Sequence, residues 1–118
     1  MSSKLKDLTI KTGVLKRLIK EEASYWKEVE REKRRLEKVR ADAEEDLEIR
    51  LRKQNEVIED TRQMIPHVHK RLLKSLQDLE DLVATEDPEY EGSAEIEEAR
   101  KWIEEGRKAQ NMPEFNGV

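Results

Sequence analysis

Apolar residues recur every seven positions through the middle of this chain, at Leu51, Ile58, Ile65, Leu72 and Leu79. That spacing places them on one face of an α-helix. The chain is 35% hydrophobic and 44% charged, so it can bury a narrow apolar seam but no broad core. Disorder of the whole chain is the alternative, but basic and acidic residues nearly balance and the apolar residues are periodic. The pattern therefore predicts long helices that share a stripe.

The first helix is predicted at about residues 8–41. Its stripe is wider than a two-stranded seam and consists of Leu8, Val14, Leu15, Leu18, Ile19, Tyr25, Trp26, Val29, Leu36 and Val39. Glu22 and Glu32 interrupt the stripe, and we expect both carboxylates to reach solvent. Gly13 predicts that the first turns fray or that the helix starts late.

The apolar phase slips by one residue between this stripe and the next, which predicts a break within residues 40–50. A continuous helix with a skip in the repeat is the alternative, because no glycine or proline marks a turn there. The second helix is predicted at about 46–84 and carries Pro66. Since the seven-residue spacing passes through Pro66 unchanged, we expect a helix that is kinked there and does not end.

Pro88 and Gly92 predict a second interruption. A shorter third helix follows at about 93–107, with Ser93 as its N-cap and glutamates in its first turns. Residues 108–118 have no period and are expected to form a mobile tail. The predicted fold is all-α: a single domain, residues 1–118, forming an antiparallel three-helix bundle with two long helices and a shorter third.

The search for chemistry argues against an enzyme. The chain has no cysteine, no glycine-rich loop after a strand, and no apolar run long enough to span a membrane. His67 and His69 point about 200° apart on a helix, so they are a poor pair of metal ligands. We expect no catalytic residue, no metal, no cofactor and no membrane, and a cytoplasmic location.

Charge is distributed unevenly along the chain. Residues 1–40 hold 13 Lys/Arg against 7 Asp/Glu, a net of +6, and residues 86–118 hold 4 against 10, a net of −6. The basic stretch "REKRRLEKVR" (residues 31–40) has glutamates woven through and beside it, which favours a salt-bridged helix face over a nucleic-acid site. A charged helical rod of this kind is typical of a protein that binds another protein.

Three segments resemble one family. "TIKTGVLKRLIKEEASY" (9–25), "TRQMIPHVHKRL" (61–72) and "EIEEARKWI" (95–103) are similar, in order and spacing, to tubulin-specific chaperone A, also called tubulin-folding cofactor A. The resemblance implies a three-helix bundle with a kinked second helix. It also implies a chaperone that captures β-tubulin released from the cytosolic chaperonin, stabilises it and hands it on for αβ-heterodimer assembly. Family members use no nucleotide.

The resemblance also implies partners and binding residues. β-Tubulin and the other tubulin-folding cofactors are the expected protein partners, the location is cytoplasmic and associated with the cytoskeleton, and the state is a monomer or weak homodimer. The expected partner-binding residues are Lys11, Thr12, Lys16, Arg17, Lys20, Arg62, Met64, Pro66 and Arg71. The alternative function is a structural coiled-coil scaffold that acts through oligomerisation.

Overall fold

The computed structural model describes residues 2–42 and 45–111 and confirms the three-helix bundle. Helix α1 runs over Ser3–Asp42, α2 over Leu47–Val83 and α3 over Ala94–Gln110, and a short 3-10 helix covers Pro88–Tyr90. The molecule measures 67 × 24 × 18 Å. Helix α2 runs back along α1, and α3 returns along the half of the α1–α2 pair that contains the first residues of α1.

Helix α1 begins earlier than expected, at Ser3 and not near residue 8. The hydroxyl of Ser2 accepts a hydrogen bond from the backbone N–H of Leu5 at 3.2 Å, so it satisfies one of the free donors of the first turn. Gly13 lies inside the helix, where its conformational cost did not delay the start. This cap lets α1 start several residues before the apolar stripe.

The predicted break between the first two helices is confirmed. Helix α1 ends at Asp42 and α2 begins at Leu47, although no glycine or proline lies between them. Asp46 adopts the left-handed conformation (φ 54°) in place of a glycine. Aspartate tolerates this region better than most residues with a side chain, so the turn needs no helix-breaking residue type.

The second interruption is also confirmed. Gly92 has a φ of 73°, a conformation that suits glycine, and the Ser93 hydroxyl accepts a hydrogen bond from the Ile96 N–H at 3.1 Å as the predicted N-cap of α3.

Helix α3 continues to Gln110, beyond the expected end at 107. Gly106 is buried in it, and a Cβ there would lie 3.0 Å from Leu76 Cδ1, so the glycine permits close packing of α3 on α2. Part of the expected mobile tail, residues 108–110, is therefore helical. The remainder, residues 112–118, lies outside the described residues.

Helix α2 is continuous through Pro66, as the unbroken seven-residue spacing predicted. Proline removes the hydrogen bond to the carbonyl of Arg62 and crowds that carbonyl. The kink at Pro66 stays a prediction.

The main apolar core lies where all three helices pack together. It consists of Leu8, Leu15, Leu18, Val68, Leu72, Leu76, Leu79, Tyr90, Ile96, Ala99 and Ile103. In the half of the bundle away from α3, α1 and α2 pack against each other within the described residues, and their seam holds Val29, Ile58 and Ile65. The fold thus has a three-helix half with a wide core and a two-helix half with a narrow one.

The expectation that Glu22 and Glu32 reach solvent was wrong. Glu22 is 1% exposed and Glu32 is 3% exposed. Both carboxyl groups lie in the α1–α2 seam because α2 supplies a polar partner to each of them, His69 to Glu22 and Gln54 to Glu32.

Candidate partner-binding surface

The basic residues of α1 differ in pairing between its two halves. In the later half, four of the seven basic side chains, Arg31, Lys33, Arg35 and Arg40, pair with a glutamate three residues earlier, and Lys27, Arg34 and Lys38 do not among the described residues. In the earlier half, none of Lys11, Lys16, Arg17 and Lys20 forms an ion pair within residues 2–42 and 45–111. The charges of these four side chains are therefore available to an external partner.

Two of these lysines share an aromatic ring with a third. The ammonium nitrogens of Lys16, Lys20 and Lys101 lie 5.5, 5.9 and 5.3 Å from the ring centre of Trp102. These distances are in the range of cation–π attraction. The indole N–H of Trp102 donates to Glu98 Oε2 at 3.1 Å, which fixes the orientation of the ring on α3. We call these four residues, three lysines around one indole, the Trp102 platform.

Another predicted pair lies in a groove between α1 and α2. Lys11 and Arg71 line it together with Ile10, Val14 and polar residues of both helices, and its volume is about 350 Å³. Ile10 is 57% exposed, unusually high for an isoleucine at a helix–helix groove. Because this groove is formed by α1 and α2 and the platform by α1 and α3, the two lie on different sides of α1.

Thr12 and Arg17 differ from their neighbours. Thr12 is buried, at 6% exposure, and its hydroxyl donates to the carbonyl of Leu8 at 2.7 Å, so little of its side chain faces solvent. Arg17 is exposed and lies about 100° around α1 from Lys16.

The residues around Pro66 form a third group. Met64 is 44% exposed, Pro66 is half-buried, and Arg62 lies 3.8 Å from Glu59 through its Nη1 atom. The Nε atom of Arg62 is buried without a hydrogen-bond partner among the described residues. The nine predicted residues therefore do not form one continuous surface: they are spread over the Trp102 platform, the groove between α1 and α2, the region around Pro66 and single positions on α1. Their role in binding stays a prediction.

Two buried polar pairs hold α1 against α2. Glu22 Oε2 lies 2.6 Å from His69 Nδ1. Gln54 Nε2 donates to Glu32 Oε2 at 2.7 Å and to the Glu32 carbonyl at 2.9 Å, and Arg35 adds an ion pair to the same carboxylate. The hydrogen bond from Gln54 is the main reason that the pKa of Glu32 lies below its ordinary value, with nearby arginines acting in the same direction.

The described residues show no cluster of three or more His, Asp or Glu side chains placed to hold a metal ion. His67 is exposed and His69 is buried against Glu22. None of the helices in the described part of the chain has the length and apolar character needed to cross a membrane.

Nearly the whole helical bundle matches one known protein family. The sequence model of the family described as Tubulin binding cofactor A matches residues 3–103. The chain belongs to this family. The match runs from the first turn of α1 to Ile103 in α3, so it covers both buried pairs and the Trp102 platform.

Cofactor A relatives from distant organisms agree with this assignment. The chain is 40% identical over 101 residues to "Tubulin-specific chaperone A" of Gallus gallus, covering 86% of this chain and 91% of that protein. It is 36% identical over 105 residues to "Tubulin-folding cofactor A" of Arabidopsis thaliana, covering 88% and 91%. The crystal structure of tubulin folding cofactor A from Arabidopsis thaliana superposes with a TM-score of 0.80 at 36% identity and covers 92% of this chain and 99% of that one.

Membership of the cofactor A family confirms the resemblance read from the three sequence segments. Lys101 and Trp102 were nevertheless not predicted as candidate surface residues. A signal was present, because Lys16 and Lys20 are four residues apart and share a helix face, but the sequence did not show that Trp102 would meet that face. It also missed the Glu22–His69 pair, although both residues interrupt apolar series.

Proposed function

We propose that this chain captures β-tubulin released from the cytosolic chaperonin, stabilises it and hands it on for assembly of the αβ heterodimer. The observation that carries the proposal is the family match over residues 3–103, supported by relatives whose names describe tubulin-specific chaperones. A chaperone of this type binds its client without catalysis, and we propose that this chain uses no cofactor.

The charge arrangement supports a client with an acidic surface. Lys11, Lys16, Arg17 and Lys20, which form no ion pair within the described residues, give the early half of α1 a positive field. Such a field mainly raises the association rate and makes binding sensitive to salt. The proposed setting is the cytoplasm, in association with the cytoskeleton, with the other tubulin-folding cofactors as further partners and the protein as a monomer or weak homodimer.

The direct test is a pull-down of newly released β-tubulin from chaperonin with the purified protein, with α-tubulin and actin as control clients. We expect selective recovery of β-tubulin. The variant K16E/R17E/K20E should recover less β-tubulin while keeping its helicity. The matched control K38E/K53E/K70E makes the same charge change at exposed lysines elsewhere and should recover β-tubulin at a level closer to that of the native protein.

Equal recovery of all three clients by the native protein would contradict the proposed specificity. If the two triple variants lose β-tubulin to the same extent, net charge alone governs capture and the early half of α1 has no special role.

A further inference from the structure

We propose that the Trp102 platform is a docking site for a short acidic polypeptide segment, in which closely spaced carboxylates bind the ammonium groups of Lys16, Lys20 and Lys101. This inference rests on the proposed function for the identity of the client. It goes further by assigning the part of the surface that binds an acidic segment of the captured protein.

The geometry of the platform concentrates like charge. All three ammonium nitrogens lie within about 6 Å of one ring centre, the limit for a cation–π contact. Any two of them are therefore separated by less than twice that distance, comparable to the Debye length of about 8–10 Å at moderate salt. Their mutual repulsion is only partly screened, and an anion placed among them would relieve it.

The described residues neutralise these charges only in part. None of Lys16, Lys20 and Lys101 forms an ion pair within 4 Å in the part of the chain that the structure describes, and all three are exposed. Glu98 keeps its negative charge while its Oε2 atom accepts the indole N–H, so three ammonium groups face one carboxylate. That hydrogen bond holds the ring in place beneath the lysines.

The ring gives the platform order that three isolated surface lysines would lack. Lysine side chains lose considerable rotamer freedom when they are fixed, and a common cation–π partner restricts them before any ligand arrives. The two lysines from α1 and the one from α3 are thus held on a shared support across a helix–helix boundary. Preorganisation of this kind lowers the entropic cost of binding.

Charge balance favours an acidic peptide over a nucleic acid. The whole chain carries a formal net charge of −4, and residues 86–118, which supply Lys101 and Trp102, have a net charge of −6. A long, uniformly charged polyanion would run from the platform onto acidic surface. A flexible acidic peptide can place a few adjacent carboxylates on the platform and extend its other residues into solvent, away from that acidic surface.

The test uses a decaglutamate peptide as probe, with decaserine as the uncharged control peptide and a ten-nucleotide oligouridylate as the competing polyanion. Binding is measured by calorimetry and by the fluorescence of Trp102 in a W26F background, where Trp102 is the remaining indole. We expect decaglutamate to bind and to change the Trp102 emission. The variant K16Q/K20Q/K101Q should bind it at least about tenfold more weakly, since three charge pairs are lost.

The matched control is K38Q/K53Q/K70Q, which removes the same charge from exposed lysines away from the platform. It should bind decaglutamate nearly as tightly as the native protein. Equal weakening in both variants, no binding of decaglutamate by the native protein, or tighter binding of oligouridylate than of decaglutamate would each overturn the proposal.

A β-tubulin pull-down with the same variants separates this inference from the proposed function. Weaker capture by K16Q/K20Q/K101Q but not by the control supports both. Capture that is equal in all three proteins leaves the proposed function standing and overturns the platform as the client site. Failure of the native protein to capture β-tubulin overturns the proposed function, and the peptide titration then decides the platform independently.

Discussion

The buried pair of Glu22 and His69 provides a quantitative test of what holds the two long helices in register. We consider the variant H69A, which removes the imidazole that lies 2.6 Å from the Glu22 carboxyl group. Glu22 is 1% exposed and His69 is 4% exposed, so water does not readily replace the lost partner. The pair links α1 to α2 at residues far apart in the chain.

The expected loss is large relative to the stability of such a chain. Breaking a buried, hydrogen-bonded pair by removing one partner costs about 3–5 kcal/mol, because the other polar group stays buried without compensation. For 118 residues, a free energy of unfolding of about 6–18 kcal/mol is typical. The variant E22L/H69L removes both polar groups and should lie within about 1 kcal/mol of the native protein or exceed its stability.

The assay is urea unfolding followed by circular dichroism at pH 7. With a urea dependence of about 1–3 kcal/mol per molar, H69A should shift the midpoint by about 2 M. The matched control H67A changes an exposed histidine two residues away and should stay within about 0.5 kcal/mol of the native protein. If H69A and H67A have the same urea midpoint, the Glu22–His69 pair does not stabilise the fold. The same conclusion follows if E22L/H69L loses as much free energy of unfolding as the sum of the losses in E22L and H69L.

Two further predictions concern pH and glycine. Gln54 lowers the pKa of Glu32 below its ordinary value of 4.5, so Glu32 contributes stability that is present above that value and is lost as pH falls through the lower folded-state pKa. In urea unfolding measured from pH 7 downward, Q54L should therefore lose less stability with falling pH than the native protein does. An unchanged pH dependence of the free energy of unfolding would contradict this assignment. G13A should raise the free energy of unfolding by about 1 kcal/mol, because alanine favours the helix over glycine and nothing lies within 4 Å of the added Cβ. G106A should gain less stability, because its Cβ would lie 3.0 Å from Leu76 Cδ1. Equal gains of the two variants in thermal or urea unfolding would show that Gly106 is not crowded.

The sequence predicts the architecture well because one physical signal dominates it. In a chain with few apolar residues, the heptad spacing of Ile58, Ile65 and Leu72 leaves little choice about which face is buried. The slip in phase also located the first turn, even though the turn uses Asp46 in place of a glycine. Helix ends were harder, because Ser2 caps α1 through a single hydrogen bond that periodicity does not report.

The candidate surface was only partly predictable for a different reason. Lys16 and Lys20 could be placed on one face of α1 from their spacing, but their meeting with Trp102 depends on how α3 packs, which is tertiary information. Thr12 illustrates the converse, since Lys11 is half-buried and Gly13 is exposed while the side chain of Thr12 is buried against the helix. Residue type and position along one helix do not determine which neighbouring helix covers a side chain.

The two halves of the bundle should differ in local stability, and the buried pairs lie where that difference matters. Among the described residues, the wide apolar cluster lies where α3 packs on α1 and α2, and the fully buried apolar residues of the two-helix half form a narrow line of Val29, Ile58 and Ile65. Hydrophobic burial per residue is therefore smaller toward the α1–α2 turn, so local opening should begin there. If the two helices slid past each other by a turn, Glu32 would lose the hydrogen bonds from Gln54 and keep only Arg35 of its own helix as a partner. The polar pairs thus supply register specificity where apolar packing is too sparse to enforce it.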